Sequence, residues 1–459
     1  MARFTAWRLL RSGSITPLRD VDAQAEDRGL DARDRGLLRR LIGTEVRRRG
    51  TLRAIVRRYA RGKPSADYCA HLHLAIVQAF FLDRIPDHAL ASETVRLVEE
   101  TCLPADARNT KGFLHALLLS RTRGHVGNPR RDIIGRPFAL DRDVFHDPVE
   151  HPLLWAEDAL SMPAQLMKGW VARYGAERAQ QLALGALEEP ELSVRVIGQE
   201  RAAIAEELKA LDIPSRPGRH ANILLVPADR SELLLHTEAM DQGRISVQGE
   251  SALRAAQAMQ AQAGETILDL CAAPGGKAAV LAESGANVVA CDVSEDKLAR
   301  MRSTLERLKL GERVECVVTN GTSNLPARLF DGVLVDAPCT NTGVLAQRPE
   351  ARWRFGPKNK AELMALQSRL IREGAERVRV GGRLVWSTCS LEPDENSRLL
   401  RTFLTEQTQF TLEEESESLP EHPPAASAET TAPAPDAEQS AAGNDRTSQS
   451  IRTVAGLCF

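Results

Sequence analysis

The sequence predicts a multidomain chain: an all-helical front, a small mixed α/β linking region, and a doubly wound, mainly parallel α/β domain at the back. Three observations predict it. The chain has 459 residues, several times the length one core usually organises. Apolar positions in the first third recur at helical spacing with little strict alternation. From about residue 255, strand-like and helical runs alternate regularly, the pattern of a parallel sheet covered by helices. The expected boundaries are 1–145, 148–250 and 251–459.

The front reads as helix after helix, including Arg35–Arg58, Ala66–Phe81 and Ala91–Glu100, with breaks at Lys63-Pro64 and Ile85-Pro86. The segment Met1–Arg11 is basic and amphipathic like a transit peptide. Acids follow from Asp20 and no apolar signal block is present, so an ordinary first helix is expected. Between 148 and 250, helices Ser161–Tyr174 and Glu200–Leu211 accompany strand-like Leu192–Ile197 and Ile223–Val226. The back domain has strand-like runs at Thr266–Leu270, Val288–Val293, Val314–Thr319, Gly332–Asp336 and Gly382–Ser387. Helical stretches Gly276–Glu283, Glu295–Lys309 and Lys360–Arg379 separate most of them. Ser416–Gln449 is rich in Pro, Ala, Glu and Ser and is expected as a disordered acidic loop (416–449). Ser450–Phe459 is apolar enough to return as a final antiparallel strand.

Hydrophobic residues make up 43% and charged residues 27% of the chain, which excludes general disorder. Lys and Arg number 60 against 62 Asp and Glu, for a net charge of -2. The balance hides segregation. Met1–Ala60 holds 15 Arg and no Lys against 7 acids, whereas Glu413–Ser450 holds 9 acids and one base. The acidic stretch carries -8, so the remainder is about +6 and suits a polyanionic partner. No run of 18 apolar residues occurs, which excludes a membrane-spanning helix and any membrane partner of that kind. The eight cysteines are scattered without a CxxC pair, the pattern of individual thiols in a reducing, cytoplasmic setting.

The back domain carries the chemistry. Leu268-Asp-Leu-Cys-Ala-Ala-Pro-Gly-Gly-Lys277 begins as a strand and ends at a helix start, with Gly275 and Gly276 removing side chains where backbone must approach a ligand. The spacing is not GxGxxG. Asp292 stands at the end of the next strand, placed to take a ribose diol. Singly, either feature is a turn or a cap; in this order they read as an adenosine-type cofactor site. Asp336-Ala-Pro-Cys339 and Ser387-Thr-Cys389-Ser follow later strands, where open α/β sheets bind ligands. A lone cysteine is usually a small buried hydrophobe. Polar neighbours just past an apolar strand favour reactive thiols instead.

These motifs, with Ser-Thr-Cys-Ser-Leu-Glu-Pro-Asp-Glu-Asn396 completing the last, resemble the RsmB/Sun (Fmu, NOL1/NOP2/Sun) family of S-adenosylmethionine-dependent RNA cytosine-5 methyltransferases. Asp34-Arg-Gly-Leu-Leu, Arg84-Ile-Pro-Asp-His-Ala89 and Lys111-Gly-Phe-Leu-His-Ala-Leu117 look like the NusB-like domain of the bacterial RsmB type. The resemblance implies a Rossmann-like class I methyltransferase domain behind a NusB-like RNA-binding bundle, with S-adenosyl-L-methionine as cofactor. It implies Cys389 as the thiolate that attacks C6 of cytosine, Cys339 as the cysteine that assists release, and Asp336 as the carboxyl group at N3. Lys277 is a candidate cation for the thiolate, with a solvated helix-start lysine as the alternative. Cys271, Ala272, Ala273, Pro274, Gly275, Gly276 and Lys277 would form the cofactor loop, joined by Asp292, Asn320 and Asp336; no metal is expected. Asn320 stands where the family usually has Asp, and Gln248-Gly249-Glu250 where relatives show Gln-Asp.

The implied partner is ribosomal RNA, single-stranded or in a loop, in free 16S rRNA or an assembling small subunit, bound by a monomer. Arg348–Phe355 interleaves bases and aromatics and would suit stacking and phosphate contact, or would pack as core. Arginines 47, 48, 49, 53, 57 and 58 suit phosphate or a solvated helix face. Cys69-Ala-His71-Leu-His73 invites a metal reading, but residue 71 points away from the face shared by 69 and 73. Two further readings stay open: a non-catalytic RNA-binding scaffold, and the same chemistry on another rRNA or tRNA cytosine.

Overall fold

Helical periodicity at the front becomes helices with defined ends. Asp31 accepts the Asp34 N–H at 2.7 Å and opens Ala32–Tyr59, while Ser65 accepts the Tyr68 N–H at 3.1 Å and opens Ala66–Phe81. The computed structural model describes residues 1–319, 324–418 and 449–456. They fall into two units: Met1–Glu188 with Arg348–Phe355, and Glu189–Gln347 with Gly356–Phe459. The boundary at Glu188 divides the stretch expected as one linking region, 148–250. Its helices Pro152–Ala159, Ala164–Tyr174 and Ala176–Gly185 go with the front, and its strands go with the back.

In the first unit Ala32–Tyr59 is the central helix. It buries Leu38, Leu41, Ile42, Val46, Leu52 and Ile55 against Ala2–Arg11, Ala66–Phe81 and Pro152–Ala159. At Gly50 a Cβ would lie 1.9 Å from the Glu157 carbonyl, so the two helices approach backbone to backbone; Thr51 Oγ1 donates to Asp158 O at 2.8 Å in the same contact. A short antiparallel pair, β1 (Arg121–Arg123) and β2 (Phe138–Leu140), interrupts the otherwise helical unit. The Met1–Arg11 segment forms the helix Ala2–Arg11, as expected.

The arginine cluster is spent largely inside this unit. Arg48 is buried and donates to Ile134 O at 2.8 Å, Arg49 pairs with Glu45 at 2.8 Å, and Arg57 pairs with Asp158 at 2.7 Å. Arg352 is 0% exposed and donates to the carbonyls of Pro349, Ser161 and Ala186. Trp353 donates to Val46 O at 2.7 Å, with Arg49 and Arg53 over its ring. Of the two readings of Arg348–Phe355, packing is the one this geometry realises. His71 bonds Thr101 and stacks on Trp7, and His73 bonds Glu45. Among the described residues no cluster of His, Cys, Asp or Glu could hold a metal ion.

The second unit contains two sheets. A small antiparallel sheet joins β3 (Leu192–Val196), β4 (Arg216–Pro217), β5 (Ile223–Val226) and β6 (Ile245–Val247) in the order β4-β5-β3-β6. The large sheet comprises β7 (Thr266–Leu270), β8 (Asn287–Asp292), β9 (Val314–Val318), β10 (Phe330–Asp336), β11 (Val378–Thr388), β12 (Phe410–Ser418) and β13 (Gln449–Gly456). Their order is β12-β13-β11-β10-β7-β8-β9. Leu268, Leu270, Val333, Val335, Leu384 and Trp386 pack against Pro357–Ala375 and Ser397–Glu406 on one face. Ile267, Val288, Ala290, Leu334 and Val385 pack against Gly276–Glu283 and Glu295–Arg307 on the other. This is the Rossmann-like doubly wound domain.

Two expectations change here. The last strand is parallel, not antiparallel: β13 runs parallel to both β11 and β12. Thirty residues, 419–448, separate β12 from β13, and a connection of that length permits the parallel return that a hairpin forbids. Of the loop expected at 416–449, Ser416–Ser418 end β12 and Gln449 begins β13; the remainder lies outside the described residues. Among the described residues no helix is long and apolar enough to cross a membrane.

Candidate active site

The strands are all parallel here, but the strand order reverses at β7, with β8 and β9 added on one side and β10 on the other, the point where open α/β sheets leave a crevice at their carboxyl edge. Every motif singled out in this domain lies along that edge. After β7 the chain turns at Cys271 with φ 62°, and the Ala272 N–H donates to Cys291 O at 2.9 Å. Gly275 has φ +100°, and a Cβ there would lie 2.6 Å from Met301 Cγ. Glycine is therefore required for the loop to enter the Gly276–Glu283 helix. The Gly276 carbonyl accepts from Gln248 Nε2 at 3.0 Å; Gln248 accepts from Arg195 Nε at 2.6 Å, and Arg195 grips Glu283 at 2.6 and 2.8 Å. The small sheet thus braces the loop. Gly249 caps the Glu250–Gln257 helix, and Glu250 accepts the His220 N–H at 3.1 Å.

Three carboxylates share this neighbourhood. Asp292, buried at the end of β8, accepts the Ser294 N–H at 3.1 Å with Lys297 Nζ at 3.5 Å. Asp269 in β7 is 0% exposed and neither of its oxygens has a hydrogen-bond partner. Burial, and then Asp336, pushes its carboxyl up to about 8 against the pull of Lys277. Burial, followed by Asp336, Asp292 and Asp269, pushes the Cys271 thiol up to about 12. A glycine-walled turn with an unpartnered buried carboxyl group in the strand leading into it fits a cofactor whose ammonium and sulfonium charges would favour the ionised form. Asn320 lies outside the described residues.

Asp336 ends β10. Its Oδ2 is 2.7 Å from Lys277 Nζ and its Oδ1 accepts from Ser387 Oγ at 3.2 Å. Lys277, the candidate cation for the thiolate, is thus bonded to the acid of the Asp-Ala-Pro-Cys motif. Cys339 and Cys389, thiols outside any disulfide that follow β10 and β11, stand with their sulfurs 3.2 Å apart. Asn341, in the left-handed region at φ 60°, donates to Cys339 O at 2.6 Å, and its Oδ1 lies 3.2 Å from Cys389 Sγ. The Gly343 N–H donates to Cys389 O at 2.9 Å. The hydrogen bond to Cys389 and burial hold the Cys339 thiol well above the ordinary range. Cys339 therefore keeps its proton. Asn341 was not singled out from sequence, although its place two residues after Cys339 was a usable signal.

With this geometry in place, the comparisons with known proteins are direct. Residues 256–440 match the family 16S rRNA methyltransferase RsmB/F, and residues 12–115 match the NusB family. The ribosomal RNA small subunit methyltransferase B of Yersinia pseudotuberculosis serotype O:1b (strain IP 31758) is 31% identical over 343 residues, 72% of this chain and 72% of its own length. The chain belongs to this family. A Bacillus subtilis (strain 168) protein described as "probable ribosomal RNA small subunit methyltransferase B" is 30% identical over 355 residues, 74% of this chain and 72% of its own. The crystal structure of PH0851 shares the fold, with a TM-score of 0.69 at 22% identity over 88% of this chain and 90% of that one. This methyltransferase is an S-adenosyl-L-methionine-dependent enzyme with a NusB-like front.

Proposed function

We propose that this methyltransferase carries a methyl group to C5 of a cytosine in 16S ribosomal RNA through a covalent bond between Cys389 and C6 of the base. The observation that carries the reading is the pair of thiols 3.2 Å apart, one strand-end from the Lys277–Asp336 ion pair. Cytosine C5 is a poor nucleophile. Addition of a Cys389 thiolate to C6 forms a C–S bond and pushes the ring electrons toward C5, splitting one difficult step into easier ones. Charge then builds toward N3 and O2 of the base. Asp336 meets it at N3, and Lys277, 2.7 Å from Asp336, supplies positive charge that offsets the negative charge developing there. When bound, S-adenosyl-L-methionine supplies an electrophilic methyl group on a sulfonium. In this reading Cys271, Ala272, Ala273, Pro274, Gly275 and Gly276 form its cradle, with Asp292 and Asn320 on its nucleoside.

Transfer of the C5 proton to solvent water restores the double bond and expels the Cys389 sulfur as a thiolate. Cys339, protonated and in contact with that sulfur, assists this release. The base must be unstacked and turned into the site, which favours single-stranded or loop RNA in free 16S rRNA or an assembling small subunit. The helical front and the small sheet region would bind that RNA, with the protein acting as a monomer. Methyl transfer from labelled S-adenosyl-L-methionine to total rRNA tests the reaction, and bisulfite mapping of rRNA from cells lacking the protein tests the site. The expected result is loss of one protected cytosine in 16S rRNA. Loss of a cytosine in another RNA would reassign the substrate, and RNA binding without transfer would refute the enzyme.

A further inference from the structure

We infer that Glu395 is a positioning residue for this reaction: its buried carboxylate clasps both cysteine loops and holds the Cys339 and Cys389 sulfurs at working distance. The inference rests on the covalent reading above and adds to it a residue that touches neither sulfur.

Glu395 closes the Pro393–Glu395 turn after β11 and is 0% exposed. Its Oε1 accepts the Thr340 N–H at 3.0 Å and Gln367 Nε2 at 2.9 Å. Its Oε2 accepts the hydroxyls of Thr340 and Ser390. Thr340 follows Cys339 and Ser390 follows Cys389, so one carboxylate ties the residue after each cysteine. Ser390 Oγ accepts the Glu392 N–H at 2.9 Å and also meets the hydroxyls of Thr340 and Thr342 at 3.0 and 3.2 Å, so the clasp is a connected network. Gln367, fully buried on the Pro357–Ala375 helix, also donates to Pro338 O at 2.8 Å, bracing the other side of Cys339. Trp386 Nε1 holds the Glu395 carbonyl at 3.1 Å, and Asn396 binds Thr388 Oγ1, Ser390 O and Glu392 O.

The four partners on its two oxygens occupy the acceptor sites a carboxylate offers. Burying that charge is costly unless every lone pair is used. Apolar side chains of the same volume would pack the turn without that cost. What they would lack is a single acceptor joining both loops, which otherwise meet through their thiols, Asn341, the Gly343 N–H and the hydroxyls of Thr340, Thr342 and Ser390. Spacing is the quantity at stake, since a shift near 1 Å in a reacting group can cost about 100-fold in rate.

Glu395→Gln in the full chain keeps the shape but turns a donor toward donors. The expected result is a kcat about 100-fold lower, with the KM for RNA and S-adenosyl-L-methionine binding by equilibrium dialysis within about two-fold. Thr340→Val and Ser390→Ala, which remove single donors, should each lower kcat about five-fold. Iodoacetamide labelling against pH, read by peptide mass, needs no RNA. In Glu395→Gln the Cys339 midpoint should move to lower pH as the nearby anion is lost, and Glu395→Asp should restore the midpoint but not kcat. Wild-type kcat and labelling in Glu395→Gln would overturn the clasp. So would joint loss of cofactor binding and cooperative unfolding in that variant while both single-donor variants stay at wild-type kcat, because the residue would then be structural. Should the wild-type enzyme itself fail to methylate cytosine, the proposed function falls, while the labelling profiles still decide the clasp.

Discussion

Three cysteines stand just past three parallel strands on one sheet edge, and their surroundings give them different chemistry. Cys271 turns into the cofactor loop among Asp269, Asp292 and Asp336, and burial with those acids pushes its thiol up to about 12. Cys339 and Cys389 face each other at 3.2 Å, with Asn341 bonded to one loop and against the other sulfur. A strand end therefore supplies the location, and the neighbours decide whether the thiol reacts.

Substitutions break this comparison in a graded order. Cys389→Ala should abolish methyl transfer, by at least about 10⁴-fold, and should leave no covalent RNA adduct on a denaturing gel. Cys339→Ala should lower turnover by about 10²-fold while adduct accumulates, because attack survives and release does not. Asp336→Asn should lower kcat by about 10²- to 10³-fold in single-turnover assays, with cofactor affinity measured separately. On the other side of the comparison, Cys271→Ser should leave kcat within about three-fold, since burial there is structural. Iodoacetamide should spare Cys271 up to about pH 10, because the protonated form persists to about 12.

Asp269 sharpens the same contrast through stability. Its folded pKa is raised from the ordinary 3.8 to about 8. Below about pH 4 both states are protonated and the carboxyl is harmless. As pH rises from 4 to 8 the unfolded state releases the proton first, and stability falls by at most about 1.4 kcal/mol per pH unit. Asp269→Asn should flatten that slope in cofactor-free denaturant titrations across this window. An unchanged slope would remove Asp269 as its source.

Much of the site was legible in the sequence because it is local. Strand, glycine turn and helix start lie within Leu268–Lys277, and each cysteine directly follows its strand. The Ala66–Phe81, Thr266–Leu270 and Gly276–Glu283 elements end where caps, prolines and glycines said they would. The parts that stayed hidden depend on distant pairing. Glu395 acquires its role from Thr340 and Gln367, 55 and 28 residues away. Arg195 reaches Glu283 across 88 residues. Arg352 lies in a segment whose sequence left both substrate contact and core packing open, and it is buried on three carbonyls, a choice that no local pattern announces. The direction of β13 was misread for the same reason, since pairing sense is set by partners and not by the strand's own residues.

The covalent assignment is tested most directly by trapping. Cys339→Ala protein incubated with S-adenosyl-L-methionine and rRNA transcribed with 5-fluorocytidine should hold its substrate, because a C5 fluorine cannot leave as a proton. After nuclease and protease digestion, the nucleotide-bearing peptide should contain Cys389, and a further Cys389→Ala change should erase it. A nucleotide on any other residue, or active methyl transfer with no adduct in the trapped sample, would contradict Cys389 as the nucleophile.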